Sequence, residues 1–361
     1  MQFEKLSHPA ITPEAERAAL MADPAFGRVF TDHMVTIRWT AEKGWHDAQV
    51  GPRKPFQIDP ACAVLHYAQE IFEGLKAYRA GDGGLTMFRP EENARRFQQS
   101  ARRMAMPELS EELFVQACEE IIRVDEAWVP GGEGSLYLRP FLFANETFLG
   151  VKPASEFLFC VIACPVGAYF KGGAKPVTVW VSDDYSRAGP GGTGAAKCGG
   201  NYAASLVAQA EAITHGCDQV VFLDAAEHCW VEELGGMNLF FIFDDGSMIT
   251  PPLSGTILPG ITRKSVIELA RSAERSVEER GYSIDDWRQD AQSGKLREVF
   301  ACGTAAVIVA VGEVKSSKGG FTIGGSQTGP VTTQLREQLT AIQRNQAPGP
   351  EGWVHNVSLN G

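Results

Sequence analysis

The stretch Gly191–Tyr202 reads GGTGAAKCGGNY and places a single lysine, Lys197, in a segment built mostly of Gly and Ala. A strand is predicted before it at Pro176–Ser182, and a helix is predicted after it at Tyr202–His215. The small residues on both sides of the lysine would let a flat ligand reach the backbone. An apolar setting disfavours the charged form of a lysine, which makes the amine a nucleophile suited to imine formation. A solvated loop lysine is the ordinary alternative, and composition does not decide between the two.

Strands and helices are predicted in both halves of the chain around this stretch, which favours an α/β or α+β class. The length of 361 residues predicts two domains. The segment Val166–Lys175 contains three Gly residues and indicates a linker. We therefore predict a small N-terminal α/β domain at 1–168, an interdomain linker at 169–181 and a larger C-terminal domain at 182–361.

Composition and charge argue against several classes of partner. The net charge is −11, and no run of Lys and Arg offers the basic face that nucleic acid or an anionic membrane requires. The longest uncharged stretches, Phe157–Phe170 and Val299–Gly312, are shorter than the roughly 18–20 residues of a membrane span, so they predict core strands. The N-terminus lacks the apolar core of a signal peptide, and the eight cysteines form no CxxC pair. These features predict a cytoplasmic protein with reduced thiols.

Common catalytic motifs are missing or misplaced. Gly189–Gly194 matches GxGxxG, but it neither follows a strand directly nor opens a helix, so a loop is expected there rather than a dinucleotide site. No GxSxG or GxxxxGK[ST] motif occurs. The seven histidines show no zinc-binding spacing, and no metal site is predicted.

Four further features can be ordinary structure or parts of a site. Glu232 and Glu233 precede the Gly pair Gly235–Gly236, and a carboxylate there could face a protonated heterocycle. The predicted helix start at Gly260–Thr262 and the turn at Gly303–Ala305 offer backbone amides to an anion. A helix at Pro90 carries four arginines that the pattern does not distinguish: Arg95, Arg96, Arg102 and Arg103. One lysine, one acid and several anion-binding elements together suit pyridoxal 5′-phosphate.

Seven ordered motifs identify a resemblance that covers nearly the whole chain. They are Phe26–Met34, Leu65–Tyr67, Phe72–Ala77, Ser135–Pro140, Cys164–Phe170, Lys197–Tyr202 and Leu258–Arg263. In this combination the chain resembles the branched-chain amino acid aminotransferases, which are class IV, fold type IV pyridoxal phosphate enzymes. The resemblance implies a two-domain fold with its site at the domain and dimer interface, and therefore a homodimer.

The implied activity is a reversible, two-step transamination between Leu, Ile or Val and 2-oxoglutarate, giving glutamate and the 2-oxo acids. Three alternatives remain open. They are another class IV transaminase for D-amino acids or amines, an aminodeoxychorismate lyase, and a degenerate binding protein without activity.

The resemblance also assigns roles to residues. Lys197 matches the lysine that forms the internal aldimine and moves a proton between the substrate Cα and the cofactor C4′. Glu233 matches the acid on the pyridine nitrogen, and Tyr202 matches the tyrosine on the ring hydroxyl. The residues that match the phosphate cradle are Arg96, Ile261, Thr262 and Thr304. Those that match the substrate-carboxylate side are Tyr67, Arg139 and the amide of Ala305. The implied side-chain pocket consists of Phe72, Tyr137, Tyr169 and either Phe26 or Phe30, while Val151 reaches the neighbouring subunit.

The chain departs from the family pattern at a few positions. Ala306 and Val309 stand where mammalian members carry a redox CxxC, so no thiol switch of that kind is expected. Gly236 stands where threonine is common, and the pair Ala195–Ala196 replaces bulkier residues. These departures bear on details of the pocket and leave the implied reaction unchanged.

Overall fold

The structure, a computed structural model, describes residues 1–167 and 175–359. The chain divides into two compact units. The first contains Met1–Tyr169, Ala196–Gly199 and Ala341–Gly361, and the second contains Phe170–Ala195 and Gly200–Thr340. Part of the predicted linker at 169–181 lies outside the described residues. The segments around Lys197 and at the chain end, which were predicted within the C-terminal domain, group with the first unit.

The first unit contains a nine-stranded, largely antiparallel sheet. Its strands are β1 (Glu4–Lys5), β2 (His33–Thr40), β3 (Gly44–Pro52), β4 (Glu70–Phe72), β5 (Leu75–Arg79), β6 (Leu85–Phe88), β7 (Ser135–Ala144), β8 (Glu156–Val166) and β18 (Val354–Val357). The order is β1-β3-β2-β8-β7-β5-β6-β18, and β4 pairs with β7. The helices of this part of the chain are α1 (Glu14–Ala22), α2 (Ala63–Tyr67), α3 (Pro90–Arg103) and α4 (Glu111–Val124).

Helices α3 and α4 form because their sequences carry both end signals and an apolar face. Pro90 starts α3, acids occupy its first turn and arginines its last, which complements the helix dipole. The Ser110 hydroxyl caps α4 by accepting from the Leu113 N–H at 3.2 Å. Phe97 of α3 and Phe114 of α4 pack together with ring centroids 5.3 Å apart. Both rings also contact Phe159 of β8, so aromatic packing fixes the two helices on the sheet.

The second unit contains another nine-stranded sheet, of mixed direction. Its strands are β9 (Val177–Val181), β10 (Gln219–Leu223), β11 (Val231–Leu234), β12 (Met237–Phe243), β13 (Met248–Thr250), β14 (Val277–Glu279), β15 (Leu296–Gly303), β16 (Val307–Lys315) and β17 (Phe321–Thr322). The order is β11-β10-β9-β16-β15-β12-β13-β14, with β17 on β16 and a further pairing of β11 with β12. The helices are α5 (Gly199–Thr214), α6 (Ile261–Ser272), α7 (Ile284–Ser293) and α8 (Pro330–Gln343).

An aromatic cluster forms part of the core of the second unit. Phe241 of β12 lies 4.7 Å from the Tyr282 ring and 4.9 Å from the Trp287 ring, measured between centroids. All three side chains are buried. Helix α7, which carries Trp287, is capped at its start by Ser283. The residue after its last turn, Gly294, has a φ of 78°, in the left-handed region that glycine adopts without strain. Within residues 1–167 and 175–359, no helix has the length and apolar character needed to cross a membrane.

The C-terminal strand β18 completes the edge of the first sheet by pairing antiparallel with β6. His355 of β18 lies between two carboxylates. Its Nδ1 is 2.9 Å from Glu91 of α3, and its Nε2 is 2.9 Å from Glu119 of α4. Hydrogen bonds to Glu119 and Glu91 raise the pKa of His355 to about 9. A charged imidazole therefore links strand β18 to helices α3 and α4.

The stabilising effect of His355 should depend on pH. Because its pKa is raised in the folded state, its contribution is complete below the unfolded value of about 6.5 and is lost as the pH rises through about 9. We expect His355→Gln to lower the urea midpoint of the apoprotein clearly at pH 6 and much less at pH 9.5. A difference between variant and wild type that is the same at both pH values would contradict this assignment.

Candidate active site

Lys197 is held in the first unit through its backbone. Its N–H donates to the Ser100 hydroxyl of α3 at 2.9 Å, and its carbonyl accepts from the Phe72 N–H of β4 at 2.9 Å. Two residues later, the Gly199 N–H donates to the Glu70 carboxylate. Burial raises the pKa of Glu70, and this hydrogen bond opposes the rise. The side chain of Lys197 therefore starts from a fixed point, and its Nζ lies 4.7 Å from the centroid of the Phe72 ring.

A second cation lies against the same aromatic ring. Arg139 Cζ is 4.6 Å from the Phe72 centroid, and Arg139 Nη2 donates to the Tyr137 hydroxyl at 3.0 Å. Tyr137 and Arg139 are two residues apart on β7, so they share one face of the sheet. The Phe26 ring meets the Tyr137 ring edge-on at 5.0 Å, and Phe30 packs against the same cluster. The first unit thus groups the predicted carboxylate-binding arginine with predicted side-chain pocket residues.

The remaining predicted substrate residues of the first unit lie on or near an exposed loop. Tyr67 ends α2, and its hydroxyl donates to the Leu149 carbonyl. Two residues further along, Val151 is 91% exposed, although it is apolar. The predicted contact of Val151 with a neighbouring subunit stays a prediction. Tyr169 lies outside the described residues.

The structure separates Arg96 from its neighbouring arginines. Arg96 is buried and forms a two-point ion pair with Glu73, in which Nε meets Oε1 and Nη2 meets Oε2, each at 2.8 Å. Glu73 is 0% exposed and also accepts from Asn93 Nδ2 at 2.7 Å. Arg95, by contrast, is exposed and pairs with surface carboxylates. Arg96 is one helical turn before Ser100, so α3 presents the arginine and the anchor of Lys197 on one face.

In the second unit, one row of the sheet brings the predicted acid close to the predicted anion-binding elements. Glu233 of β11 pairs with Asn238 of β12, and Asn238 pairs with Cys302 of β15. Leu258 is tied to this row twice. Its N–H donates to Glu233 Oε1 at 3.1 Å, and its carbonyl accepts from Asn238 Nδ2 at 3.1 Å. Helix α6 begins three residues after Leu258, and the turn containing Thr304 follows Cys302. These elements therefore meet at the same end of strands β11, β12 and β15.

Helix α6 is suited to holding an anion. Gly260 is the N-cap residue that precedes it, no side chain caps it, and no acid occupies its first turn. Ile261 and Thr262, both buried, are its first two residues. Backbone N–H groups and the helix dipole at such a start favour a phosphate. A Cβ at Gly260 would overlap Asn238 Oδ1, so glycine allows this close approach. Thr304 and Ala305 form the neighbouring turn between β15 and β16.

Tyr202 lies in the first turn of α5, close to Gly236. The nearest atom to a Cβ built on Gly236 is Tyr202 Cε1, at 3.7 Å. A side chain at position 236 would therefore contact this tyrosine ring, and the glycine leaves that space open. This places the departure from the family pattern at Gly236 directly beside the tyrosine predicted to meet the ring hydroxyl.

Sequence reasoning missed an arginine beside the predicted acid. Arg187 Nη2 lies 2.5 Å from Glu233 Oε1, and both side chains are almost fully buried. The same Nη2 contacts the Gly194 carbonyl at 2.8 Å and the Thr256 carbonyl at 2.5 Å. Glu232 points to the hydroxyl of Thr256 instead, and burial raises the pKa of that carboxyl. The two adjacent acids therefore have different environments, and Glu233 is the one paired with a cation.

Comparison with known proteins identifies the family of this chain. The amino-transferase class IV family matches residues 70–314. A probable branched-chain-amino-acid aminotransferase of Streptomyces coelicolor is 56% identical over 360 residues, covering 99% of both chains. The branched-chain amino acid aminotransferase of T.th. complexed with N-(5′-phosphopyridoxyl)-L-glutamate superposes with a TM-score of 0.72 at 30% identity, covering 89% of this chain and 98% of the other. The same enzyme complexed with 4-methylvaleric acid gives 0.72 at 29% identity, with the same coverage.

These matches confirm the predicted fold class, a mixed α/β chain of fold type IV. More than half of the chain lies within the family match, and the bacterial relative aligns over almost its full length. The chain therefore belongs to the class IV aminotransferases and, among them, to the branched-chain amino acid aminotransferases.

Proposed function

We propose that this chain transfers the amino group of L-leucine, L-isoleucine or L-valine to 2-oxoglutarate, with pyridoxal 5′-phosphate bound at Lys197. The observation that carries the proposal is that the buried Glu233 and the uncapped start of α6 lie close together, linked through Leu258. A phosphorylated pyridine would use an acid to bind its ring nitrogen and an anion-binding helix start to bind its phosphate. The T.th. relative crystallised with a phosphopyridoxyl ligand supports the choice of cofactor.

The chain's residues divide the work around that cofactor. Bound pyridoxal phosphate supplies an aldehyde that reacts with amines and a ring that accepts the electrons of the broken Cα–H bond. Lys197 would hold the cofactor through Nζ and would then carry the proton released at the substrate Cα. Glu233 would accept a hydrogen bond from the ring nitrogen, and Tyr202 would hydrogen-bond the ring hydroxyl. Ile261, Thr262, Thr304 and Arg96 are the residues that would hold the phosphate.

The substrate is bound by charge at one end and by apolar contact at the other. Arg139, Tyr67 and the amide of Ala305 bind the carboxylate. Phe72 and Tyr137 line the side-chain pocket. One methylene changes binding by only about 1–3 kcal/mol, so leucine, isoleucine and valine should all be turned over. The T.th. complexes with a glutamate derivative and with 4-methylvaleric acid support a site that accepts both an acidic and a branched side chain.

The active unit in this proposal is a homodimer. Leu149 and Val151 are 63% and 91% exposed on the loop that also holds the Tyr67 hydroxyl. Two exposed apolar side chains so close to a substrate residue support a contact with the second copy, through which Val151 reaches the neighbouring site.

The absorption spectrum of the purified holoenzyme tests the proposal. The yellow band of the bound cofactor should collapse on addition of L-leucine and return on addition of 2-oxoglutarate, because the two half-reactions use one site in turn. D-leucine is the matched control and should leave the band unchanged. A band that responds to D-leucine alone would favour a D-amino acid transaminase. Pyruvate release from aminodeoxychorismate without an amino acceptor would favour a lyase.

A further inference from the structure

We propose that Arg187 is a positioning residue for Glu233, so that the acid meets the cofactor ring nitrogen in one fixed orientation; this inference rests on the proposed function. Arg187 belongs to none of the motifs on which the family resemblance rests. It precedes Lys197 by ten residues, at the start of the Gly-rich loop.

The guanidinium connects three separate segments of the second unit. One nitrogen, Nη2, contacts Glu233 Oε1 at 2.5 Å on β11, the Thr256 carbonyl at 2.5 Å in the loop before α6, and the Gly194 carbonyl at 2.8 Å in the loop before Lys197. Arginine suits this buried position because a guanidinium is more weakly hydrated than an ammonium and therefore costs less to bury. One cation therefore contacts Glu233, the loop that precedes α6 and the loop that precedes Lys197.

The contact fixes the Glu233 carboxylate. Its Oε1 lies against Arg187 and also accepts from the Leu258 N–H at 3.1 Å, so two donors from different segments act on one oxygen. The two side chains are only 5% and 3% exposed. A buried carboxylate needs a counter-charge, and a guanidinium keeps its charge at every relevant pH. Removing Arg187 would take the cation away from Oε1 of this buried carboxylate and would restrict its orientation less.

The loop around Arg187 is built for close approach. A Cβ at Gly194 would overlap the Thr256 carbonyl oxygen and would lie only 2.6 Å from its carbonyl carbon. Only glycine therefore allows the two carbonyl-bearing segments to come near enough to share one guanidinium. The Gly-rich composition that drew attention to Lys197 thus also serves the Arg187 contacts.

A double-mutant cycle on cofactor affinity tests the inference. The dissociation constant of pyridoxal phosphate is measured by titrating the apoproteins of wild type, Arg187→Met, Glu233→Gln and the double variant. Arg187→Met should raise this dissociation constant about 10- to 100-fold, by analogy with the loss of a residue that orients a metal ligand. In the Glu233→Gln background the same change should have less than a twofold effect, because Arg187 acts through Glu233. In turnover assays Arg187→Met should lower kcat and leave the KM for L-leucine unchanged.

Two further variants separate positioning from a general loss of structure. Arg187→Lys keeps the charge without the fork and should recover part of the affinity, and it replaces Arg187→Met in the cycle if that variant does not fold. Arg344→Met is the matched control. Arg344 is also a buried arginine, and it holds the Glu133 carbonyl at 2.5 Å in the first unit. Its loss should lower stability and leave the cofactor dissociation constant within twofold of wild type.

The outcomes distinguish this inference from the proposed function. If Glu233→Gln weakens cofactor binding but Arg187→Met does not, or if the two effects multiply in the double variant, the positioning role is wrong and the proposed function stands. If Glu233→Gln changes neither the dissociation constant nor kcat, the role of Glu233 itself fails, and the inference fails with it.

Discussion

Replacing Lys197 with alanine should lower the rate of amino transfer from L-leucine to 2-oxoglutarate by about 10³- to 10⁴-fold or more, since one side chain supplies both the covalent attachment and the proton transfer. The fold should be retained. The contacts that anchor this segment use the Lys197 backbone, whose N–H donates to the Ser100 hydroxyl and whose carbonyl accepts from the Phe72 N–H, so alanine can make them too. Stopped-flow spectroscopy of the half-reaction and far-UV circular dichroism of the same sample measure the two effects separately.

Two variants control for the loss of positive charge. Lys197→Arg keeps a cation near Phe72 but offers no amine for covalent attachment, so it should be as inactive as the alanine variant. Lys318→Ala removes an exposed lysine in the second unit and should leave the rate unchanged. A Lys197→Ala enzyme that retains more than one tenth of the wild-type rate would rule out the proposed mechanism.

Replacing Arg96 with methionine should lower the free energy of unfolding of the apoprotein by about 3–5 kcal/mol, the usual effect of removing one partner from a buried ion pair. Glu73 is 0% exposed, so its charge would stay buried without the two guanidinium contacts at 2.8 Å. The variant should also bind pyridoxal phosphate more weakly, because it lacks the arginine proposed to contact the phosphate. Urea unfolding and cofactor titration measure the two effects.

Arg95→Met provides the matched control, one residue away on the same helix. Arg95 forms only exposed pairs with Glu92 and Glu111, which are worth at most about 1 kcal/mol. Adding Glu73→Gln to Arg96→Met should restore part of the stability and none of the cofactor affinity. Equal losses of stability in the Arg95 and Arg96 variants would show that the buried pair has no special energetic role.

Local signals predicted much of the secondary structure. The uncharged stretches Phe157–Phe170 and Val299–Gly312 predicted core strands, and residues 157–166 of the first lie in β8. The second contains the end of β15, a turn and the start of β16. Helix α5, predicted from Tyr202, begins at Gly199, because two glycines that weaken helix propensity are nevertheless incorporated into its first turn. The short strand Val354–Val357 was missed. Four residues carry too little periodicity to be recognised, and their partner strand lies far away in the sequence.

In the candidate site, too, the residues found from the sequence lie in local motifs, and those missed depend on distant contacts. Residues in contiguous motifs, such as Lys197 and Tyr202, could be proposed from the sequence, and their roles stay predictions. The buried partners of Arg96 and Glu233 could not be proposed from the sequence. Glu73 contacts Arg96 across 23 positions of the chain, and Arg187 contacts Glu233 across 46 positions. The choice of Arg96 over Arg95 came from the family resemblance, and burial now gives a physical reason for it.

The return of the C-terminal strand to the first sheet also affects how the protein is synthesised. His355 and its partner Glu91 are separated by 264 residues in the chain. At about 5–20 residues per second, a ribosome needs roughly 13–50 s to add that length. During this interval strand β6 has an open edge, and open edges template association with other chains. A nascent chain should therefore be most prone to aggregation in this window, and a premature stop codon before Val354 would make the exposed edge permanent.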